Sequence, residues 1–377
     1  MAPMKVREPP QHHWQYSHLM VDAGIFFEDL LAAISTAGST VDMEYYIFQL
    51  DALGERFIEA LGTAAGKGVR VRVLIDGVGS SVTGAALAQR LFEVGVPVQI
   101  HNPLPWLTGA FRWSRERGGW MYKALLFLLN INRRNHRKLC MVDGTSAWVG
   151  SFNISADHLA ITAGGRGWRD YAMKLQGPEV ESLVQGFDRM WTAQGPRFHR
   201  GFIARYLSNR SQRARRLKNR FVARKVAGSA RRVWLVSAYF APTAKFRRAL
   251  LRACRNGRDV RLLLPGQSDV AMFPGLSSHY YRELLRAGAR IFLYQAGVLH
   301  AKALLIDDFS IVGSSNWNYR STLHDLELDV VIRSRDTVLA LEQVVVADCE
   351  ISHELRLEHT PSPSLGSWFW YILRYWM

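Results

Sequence analysis

Hydrophobic residues along this chain alternate between short β-branched or aromatic runs and longer stretches in which apolar positions recur with helical spacing. The runs predict strands, and the stretches predict amphipathic helices. The order strand, helix, strand, helix, strand begins near Val41 and again near Arg231. Both predicted helices of each half end at a glycine, which is a frequent C-terminal cap. Two such series predict an α/β layer architecture that is repeated in two halves.

The two predicted halves differ in length at one place. Gly95 of the first half aligns with Gly288 of the second, and His136 further along aligns with His300. The two offsets make the first half longer by about 29 residues between these positions. The predicted organisation is a first lobe at 1–205 with an apolar insertion at about 102–135, a basic linker at 206–230, and a second lobe at 231–377 with an aromatic C-terminal tail.

A His-x-Lys-x4-Asp pattern followed by Gly-Ser-x-Asn occurs once in each half. Residues two apart on a strand share a face, so each histidine projects beside its lysine. Each aspartate has the opposite parity and stands at a predicted hairpin turn, from which the returning strand brings the serine and asparagine back to the His–Lys pair. The candidate catalytic residues are His136, Lys138, Asp143, His300, Lys302 and Asp307, and the candidate phosphate-binding or supporting residues include Ser151, Asn153, Ser314 and Asn316.

Two histidines and two lysines at one place suit exchange at a phosphodiester. A neutral imidazole can attack phosphorus and form a covalent intermediate, and a second, protonated imidazole can give a proton to the departing alkoxide. Lysines and amide donors can hold the non-bridging oxygens as negative charge develops. Each imidazole also needs an acceptor for its other ring nitrogen. Asp170 and Glu327, which each open a strand after a motif, are the candidates, and this chemistry requires no metal and no cofactor.

The charge balance predicts an anionic partner. The chain has 48 Lys and Arg against 32 Asp and Glu, a net charge of +16, and residues 189–258 contain no acidic residue. Such an excess suits nucleic acid or an acidic membrane surface, and charge alone does not choose between them. Three cysteines without metal-type spacing favour a reducing compartment. The sequence shows no apolar leader and no run of about 20 apolar residues, so a soluble or peripheral intracellular protein is expected.

The paired motifs resemble those of the phospholipase D superfamily across nearly the whole chain. The finer similarity is to the short bacterial cardiolipin synthases that lack N-terminal membrane spans, and it rests on the segments EYYIF, DGVGS, SAYFAPT and SSNWNYRS. The resemblance implies two similar α/β/α sandwich lobes related by a pseudo-twofold, an active site at their interface and a phosphohistidine intermediate. It also implies that His136 is the nucleophile, that His300 is the general acid and base, and that Asp143 and Asp307 are structural.

Members of this superfamily act on phospholipids or on nucleic acids, and two apolar segments favour phospholipids. MYKALLFLLNI, at residues 121–131, lies within the insertion between arginines and leads into the first motif, and SWFWYILRYWM forms the C-terminus. Aromatic residues beside cations suit the headgroup region of a bilayer, and both segments are too short to span it. Packing on the protein core is the alternative for each segment.

The predicted reaction is phosphatidyl transfer, in which phosphatidylglycerol and a second phospholipid yield cardiolipin. One alternative is hydrolysis by a phospholipase D or a nuclease of the same superfamily, and another is a catalytically idle basic membrane-binding protein. The predicted partner is an anionic phospholipid membrane rather than nucleic acid, with no obligatory protein partner. The predicted location is peripheral, on the cytoplasmic face of the bacterial inner membrane.

Overall fold

The structure is a computed structural model that describes residues 14–81, 83–103, 133–192, 206–360 and 365–375. The apolar segment 121–131, and with it most of the predicted insertion, lies outside the described residues. The hypothesis that this segment contacts lipid therefore stays a prediction.

The first lobe is built on a seven-stranded mixed sheet with the strand order β1-β7-β6-β5-β2-β3-β4. Strands β2, β3 and β4 run parallel and are connected by helices, whereas the other pairings are antiparallel. The strands are β1 (Tyr16–Met20), β2 (Thr40–Tyr45), β3 (Arg70–Asp76), β4 (Val98–His101), β5 (Lys138–Val142), β6 (Ser146–Gly150) and β7 (Ala172–Gln176). The helices are α1 (Ala23–Ser35), α2 (Ala52–Gly66), α3 (Gly84–Glu93) and α4 (Glu181–Trp191).

The second lobe repeats this arrangement in an eight-stranded sheet with the order β15-β11-β10-β9-β12-β13-β14-β8. Apart from the edge strand β15, this order matches the first sheet strand for strand, which confirms two similar α/β lobes. The strands are β8 (Tyr206–Ser208), β9 (Arg232–Val236), β10 (Asp259–Gln267), β11 (Arg290–Val298), β12 (Ala303–Ile306), β13 (Phe309–Gly313), β14 (Leu328–Ile332) and β15 (Ser352–Leu355). The helices are α5 (Gln212–Ala227), α6 (Ala244–Arg255), α7 (Met272–Arg286), α8 (Tyr319–Leu323), α9 (Arg335–Glu350) and α10 (Leu365–Leu373).

The segment predicted as a basic linker, residues 206–230, belongs to the second lobe. Strand β8 pairs with β14, and α5 packs on the sheet through Val222 and Val226. Together, β8 and α5 occupy the places that β1 and α1 hold in the first lobe. The many Lys and Arg residues of α5 make its apolar face hard to recognise in the sequence. One of these cations, Lys218, is itself only 5% exposed and pairs with Asp329 at 2.6 Å.

In the part of the chain that the structure describes, three clusters of buried hydrophobic residues define the layers. One lies between the first sheet and helices α1 to α3, and another lies between the second sheet and helices α5 to α7. The third combines the inner faces of both sheets with α4 and α9, and it includes Met173 of the first lobe and Val330 of the second. Helices on both faces of each sheet give the predicted α/β/α sandwich. The lobes share one core where they meet.

The predicted aromatic tail forms α10, which lies against α7. His279 Nε2 and Ser367 Oγ are 2.9 Å apart, and the ring of Tyr371 stacks on that of His279 with centroids 4.7 Å apart. Three large hydrophobic side chains of this helix stay exposed: Trp368 at 49%, Phe369 at 57% and Ile372 at 68%. Across the ranges described, no helix combines the length and the apolar character that crossing a bilayer requires.

Candidate active site

Two backbone contacts between the lobes bring the motifs together. The N–H of His136 donates to the carbonyl of Leu326 at 2.9 Å, and the N–H of His300 donates to the carbonyl of Arg169 at 2.8 Å. In each case the residue that follows the accepting carbonyl is one of the two acids predicted as orienting acceptors. Each acid therefore contacts the histidine of the opposite lobe. The position of the acid in the sequence does not predict this exchange of partners between the lobes.

Both motif histidines are buried, and each has one ring nitrogen occupied. His300 Nδ1 lies 2.7 Å from Asp170 Oδ1. His136 Nδ1 lies 3.1 Å from both carboxylate oxygens of Glu327 and 3.1 Å from the carbonyl oxygen of Ser314. Because acceptors occupy Nδ1, each neutral ring carries its proton there and keeps the lone pair of Nε2 for a substrate.

Burial and nearby cations favour the neutral form of both imidazoles. Burial, together with the charge of Lys302, lowers the pKa of His300 to about 4, although Asp170 acts in the opposite direction. Burial also lowers the pKa of His136 well below its usual value, and the charges of Lys138 and Lys302 add to this effect. Since a lysine of the second lobe acts on a histidine of the first, the two half-sites form one composite site.

The two motif lysines are buried in matching environments. Each Nζ donates to the carbonyl of the motif histidine two residues earlier, at 2.7 Å in the case of Lys138. Lys138 Nζ lies 5.0 Å from the ring centre of Tyr46, and Lys302 Nζ lies 6.0 Å from that of Tyr239. Burial lowers the pKa of Lys302 to about 8 and lowers that of Lys138 well below its usual value. Each ammonium group has further N–H bonds to offer to phosphate oxygens.

The serine of each Gly-Ser-x-Asn segment contacts both the backbone N–H and the backbone carbonyl of one residue at a neighbouring strand. Ser151 Oγ accepts the N–H of Tyr171 at 3.0 Å and donates to its carbonyl at 3.1 Å. Ser314 Oγ accepts the N–H of Leu328 at 3.0 Å, and its single O–H donates to the carboxylate of Glu327, with the carbonyl of Leu328 as a longer contact at 3.3 Å. Both serines therefore lie beside the strands that carry the acids, but only one of them contacts an acid directly.

The two asparagines of these segments have different partners. Asn316 Oδ1 accepts the N–H of Tyr239 at 3.3 Å. Asn153 Oδ1 is buried and has no hydrogen-bond partner within the described part of the chain. An amide that can turn to present either its oxygen or its NH2 group is suited to a bound phosphate.

The motif aspartates lie away from the histidines, although the prediction groups them with the catalytic residues. Asp143 and Asp307 follow strands β5 and β12 and stand at hairpin turns with φ of 52°. A strand of five residues separates Asp143 from the site by roughly 17 Å. Their carboxylates accept backbone N–H groups from Gly38, Ser39 and Thr40 and from Ala230, Arg231 and Arg232.

A third histidine, which is not among the predicted residues, lies behind the half-site of His300. His158 Nδ1 is 2.7 Å from Asp170 Oδ2, so one carboxylate contacts two imidazoles. Its Nε2 accepts the backbone N–H of Asn153 at 3.1 Å. The ring of His158 lies 5.4 Å from that of Trp168, centroid to centroid.

Ser321 takes the equivalent place in the other half-site. Its Oγ accepts the N–H of Asn316 at 3.3 Å and donates to Glu327 Oε1 at 2.6 Å. Both His158 and Ser321 stand five residues after the asparagine of their Gly-Ser-x-Asn segment. This equal spacing is the signal in the sequence that could have identified both positions.

Two α/β/α lobes that share one site of paired histidines and lysines define a phospholipase D-like enzyme architecture. The family profile described as "Cardiolipin synthase, PLD-like domain" matches residues 30–191 and 223–348. The chain belongs to this family, and the resemblance noted in its motifs is confirmed.

The chain is 31% identical over 351 residues to cardiolipin synthase A of Pseudomonas putida (strain W619), an alignment that covers 90% of this chain and 70% of that protein. It is 28% identical over 361 residues to a cardiolipin synthase of Listeria monocytogenes serotype 4a (strain HCC23), again covering 90% and 70%. Among solved structures, phosphatidylserine synthase of Haemophilus influenzae Rd KW20 superposes with a TM-score of 0.70 at 11% identity, covering 96% of this chain and 95% of that one. The last similarity shows a shared fold.

Proposed function

We propose that this protein is a phosphatidyltransferase that forms cardiolipin from phosphatidylglycerol and a second phospholipid through a phosphohistidine intermediate. The observation that carries the proposal is the pair of buried imidazoles, His136 and His300, each held at Nδ1 by a carboxylate of the opposite lobe. Two Nε2 atoms and two ammonium groups are then available to one phosphodiester. The names of the related cardiolipin synthases support the substrate class.

The two carboxylates support different roles for the two histidines. Burial opposes ionisation of Asp170, but the neighbouring His300 and His158 outweigh it and hold the pKa of Asp170 well below its usual range. An ionised Asp170 stabilises an imidazolium at His300, which suits a general acid and base. Burial raises the pKa of Glu327 to about 7, so this acid offers less negative charge to His136. A neutral imidazole suits the nucleophile.

The reaction then proceeds in two substitutions at phosphorus. In the first, Nε2 of His136 attacks, the bond from phosphorus to the headgroup oxygen breaks, and the imidazolium of His300 gives its proton to the departing alkoxide. In the second, a glycerol hydroxyl of phosphatidylglycerol gives its proton to Nε2 of His300, and its oxygen attacks phosphorus as the bond to His136 breaks. Lys138 and Lys302 hold the non-bridging oxygens. The entering anionic phosphodiester favours the protonated form of His300.

An anionic membrane is the proposed partner, and the proposed location is peripheral, on the cytoplasmic face of the bacterial inner membrane. The net charge of +16 favours an anionic surface, where each Lys or Arg contributes about 1 kcal/mol. Helix α10 presents exposed Trp368, Phe369 and Ile372 beside Arg374. Aromatic and apolar side chains next to a cation suit the headgroup region of a bilayer.

The test is incubation of the purified protein with vesicles of phosphatidylglycerol, alone or mixed with phosphatidylethanolamine, and separately with single-stranded DNA. Cardiolipin formation by the wild type and its loss in His136→Ala would support the proposal. Phosphatidic acid as the sole product would indicate a phospholipase D, and DNA cleavage without lipid turnover would indicate a nuclease. Binding to anionic vesicles without turnover of any substrate would indicate an idle membrane-binding protein.

The membrane contact has its own test in α10. Replacing Phe369 and Ile372 together by serine removes exposed apolar surface, and we expect flotation with anionic vesicles to weaken about tenfold while turnover of a short-chain, water-soluble phospholipid is unchanged. Leu339→Ser on α9, where the side chain is 43% exposed, is the matched control and should leave flotation unchanged. Equal loss in both variants, or in neither, would argue against α10 as the membrane contact.

A further inference from the structure

The half-site of His300 contains a buried histidine that the proposed mechanism does not use. His158 is 2% exposed, and its Nδ1 lies 2.7 Å from one oxygen of Asp170, while His300 Nδ1 lies 2.7 Å from the other. The three side chains form a continuous hydrogen-bonded chain in which Asp170 is the central acceptor. His158 is thus two hydrogen bonds away from the nitrogen that meets the substrate.

The partners of His158 determine where its proton lies. Its Nε2 faces the backbone N–H of Asn153 at 3.1 Å, and because that group can only donate, Nε2 must supply a lone pair. The proton of the neutral ring is therefore on Nδ1, which donates to Asp170. His158 acts on the carboxylate as an N–H donor, and its own ring nitrogens are both occupied.

The repeat shows that a histidine is not needed to hold the backbone at this position. In the other half-site, Ser321 Oγ accepts the equivalent asparagine N–H at 3.3 Å and donates to the equivalent acid, Glu327, at 2.6 Å. A hydroxyl therefore meets the same local requirements. What His158 adds is a rigid ring, packed edge-on against Trp168 and Phe152 with centroids 5.4 and 5.5 Å away, that fixes the direction of its N–H.

A bound cation is the alternative use of the same side chains. Within the described ranges, the ligand-type atoms of His158, Asp170 and His300 lie within 4.8 Å of one another. A metal ion requires a free lone pair from each imidazole. His158 has none to give, because its Nε2 lone pair receives the amide N–H and its Nδ1 carries the proton. The donor set therefore favours the hydrogen-bonded chain.

We propose that His158 is a positioning residue for His300: by donating to Asp170, it fixes the Nδ1–H tautomer of His300 and moderates the negative charge that this imidazole meets. A carboxylate with a second N–H donor is a weaker base, so His300 can both hold its proton and release it to an alkoxide. This inference rests on the proposed function, in which His300 is the acid and base. Among the described residues, the other ionisable groups that act on His300 are Lys302, Asp269 and His136, and Tyr239 lies next to its ring.

Three variants test the role of His158. His158→Leu removes the N–H donor, His158→Asn keeps a donor at the same distance along the side chain, and Ser321→Ala removes the equivalent donor from the other half-site. NMR of protein labelled at its histidines follows the titration of His300 in each variant without any need for turnover, and the pH profile of cardiolipin synthesis follows its role in the reaction. Thermal unfolding of each variant reports whether it is folded.

In His158→Leu, we expect the titration midpoint of His300 to rise, because Asp170 keeps its full charge for that ring, and turnover to fall about 10–100-fold. His158→Asn should restore the midpoint and most of the turnover, and Ser321→Ala should leave the midpoint of His300 unchanged. An unchanged midpoint in folded His158→Leu would overturn the proposal, as would a Zn²⁺-dependent shift of the His158 resonances. If the midpoint shifts as expected but the wild type makes no cardiolipin, the proposed function fails while the link between His158 and His300 stands.

Discussion

The half-site around His136 and the half-site around His300 are built alike: each has equivalent strands, its own motif lysine and its own tyrosine beside that lysine. They differ in the acid that orients the imidazole. Asp170 meets His300 in one contact of 2.7 Å. Glu327 and the carbonyl of Ser314 instead share Nδ1 of His136, each at 3.1 Å. The internal repeat supplies two copies of the same histidine and lysine. The different acid beside each histidine is what suits the two copies to different steps of the proposed reaction.

The lengths of the two acids explain much of this difference. Glutamate extends one methylene group beyond aspartate, and Glu327 reaches the hydroxyl groups of Ser314 and Ser321. Burial still raises the pKa of Glu327. The shorter Asp170 places one oxygen on each of two imidazoles, and these partners keep its pKa low despite burial. The two half-sites thus have the same fold, but the pKa of the acid is lowered in one and raised in the other.

The largest expected effect separates the nucleophile from the acid and base. His136→Ala and His300→Ala should each reduce cardiolipin synthesis about 10²–10⁴-fold. With a phosphatidyl ester of p-nitrophenol, whose leaving group needs no proton, His300→Ala should still form the phosphohistidine because His136 remains. His136→Ala should form none. Rapid quenching with a ³²P-labelled substrate measures the intermediate, and the opposite pattern would exchange the two assignments.

The next effect compares the two acids directly. At pH 7, Asp170→Asn should lower kcat/KM by about 10²-fold or more, because an ionised carboxylate beside His300 is lost. Glu327→Gln should lower it by about tenfold, because the pKa of Glu327 is about 7 and the acid is already partly protonated. Above pH 7 the wild-type Glu327 ionises further, so the deficit of Glu327→Gln should grow. Equal losses at every pH would show that the half-sites are equivalent.

Local spacing made the motif residues and hairpins predictable, because the parity of a strand fixes which side chains share a face. The pairing of Asp170 with His300 was not predictable in this way, since it depends on contacts between lobes that are distant in the chain. The place of α5 depends on such distant contacts as well. Its dense positive charge predicts a basic linker between the lobes, whereas its buried Lys218 pairs with Asp329 of another element.

The alkaline limit of activity tests the two lysines. The pKa of Lys302 is about 8, so this ammonium is charged below pH 8 and loses its charge as the pH rises further. Because the charge holds phosphate oxygens, kcat/KM should fall above about pH 8. Lys302→Arg stays charged throughout this range and should move the fall to higher pH, at a lower maximum. Lys138→Arg is the matched variant, and an unmoved limit in both would mean that another group sets it.

The smallest expected effect is on stability, and it should be similar in the two halves. Asp143 and Asp307 each accept three backbone N–H groups that hold a hairpin turn to the start of a neighbouring strand. These amides outweigh burial and lower the pKa of both aspartates. Asp143→Asn and Asp307→Asn keep the shape but remove the charge, and each should cost about 1–3 kcal/mol in the free energy of unfolding, measured by denaturant titration.

The pH dependence of that loss distinguishes a structural aspartate from a catalytic one. Since the folded-state pKa is lower than the unfolded value of about 3.9, the stabilisation is fully present above that value and disappears as the pH falls through the folded pKa. The unfolding free energies of the wild type and of both variants should therefore converge in acid and separate above about pH 4. Activity at pH 7 should stay within about threefold of the wild type while the variants are folded, because neither carboxylate contacts a histidine. If Asp143→Asn is folded but loses as much activity as His136→Ala, then Asp143 has a catalytic role. The two hairpin turns would in that case not be equivalent.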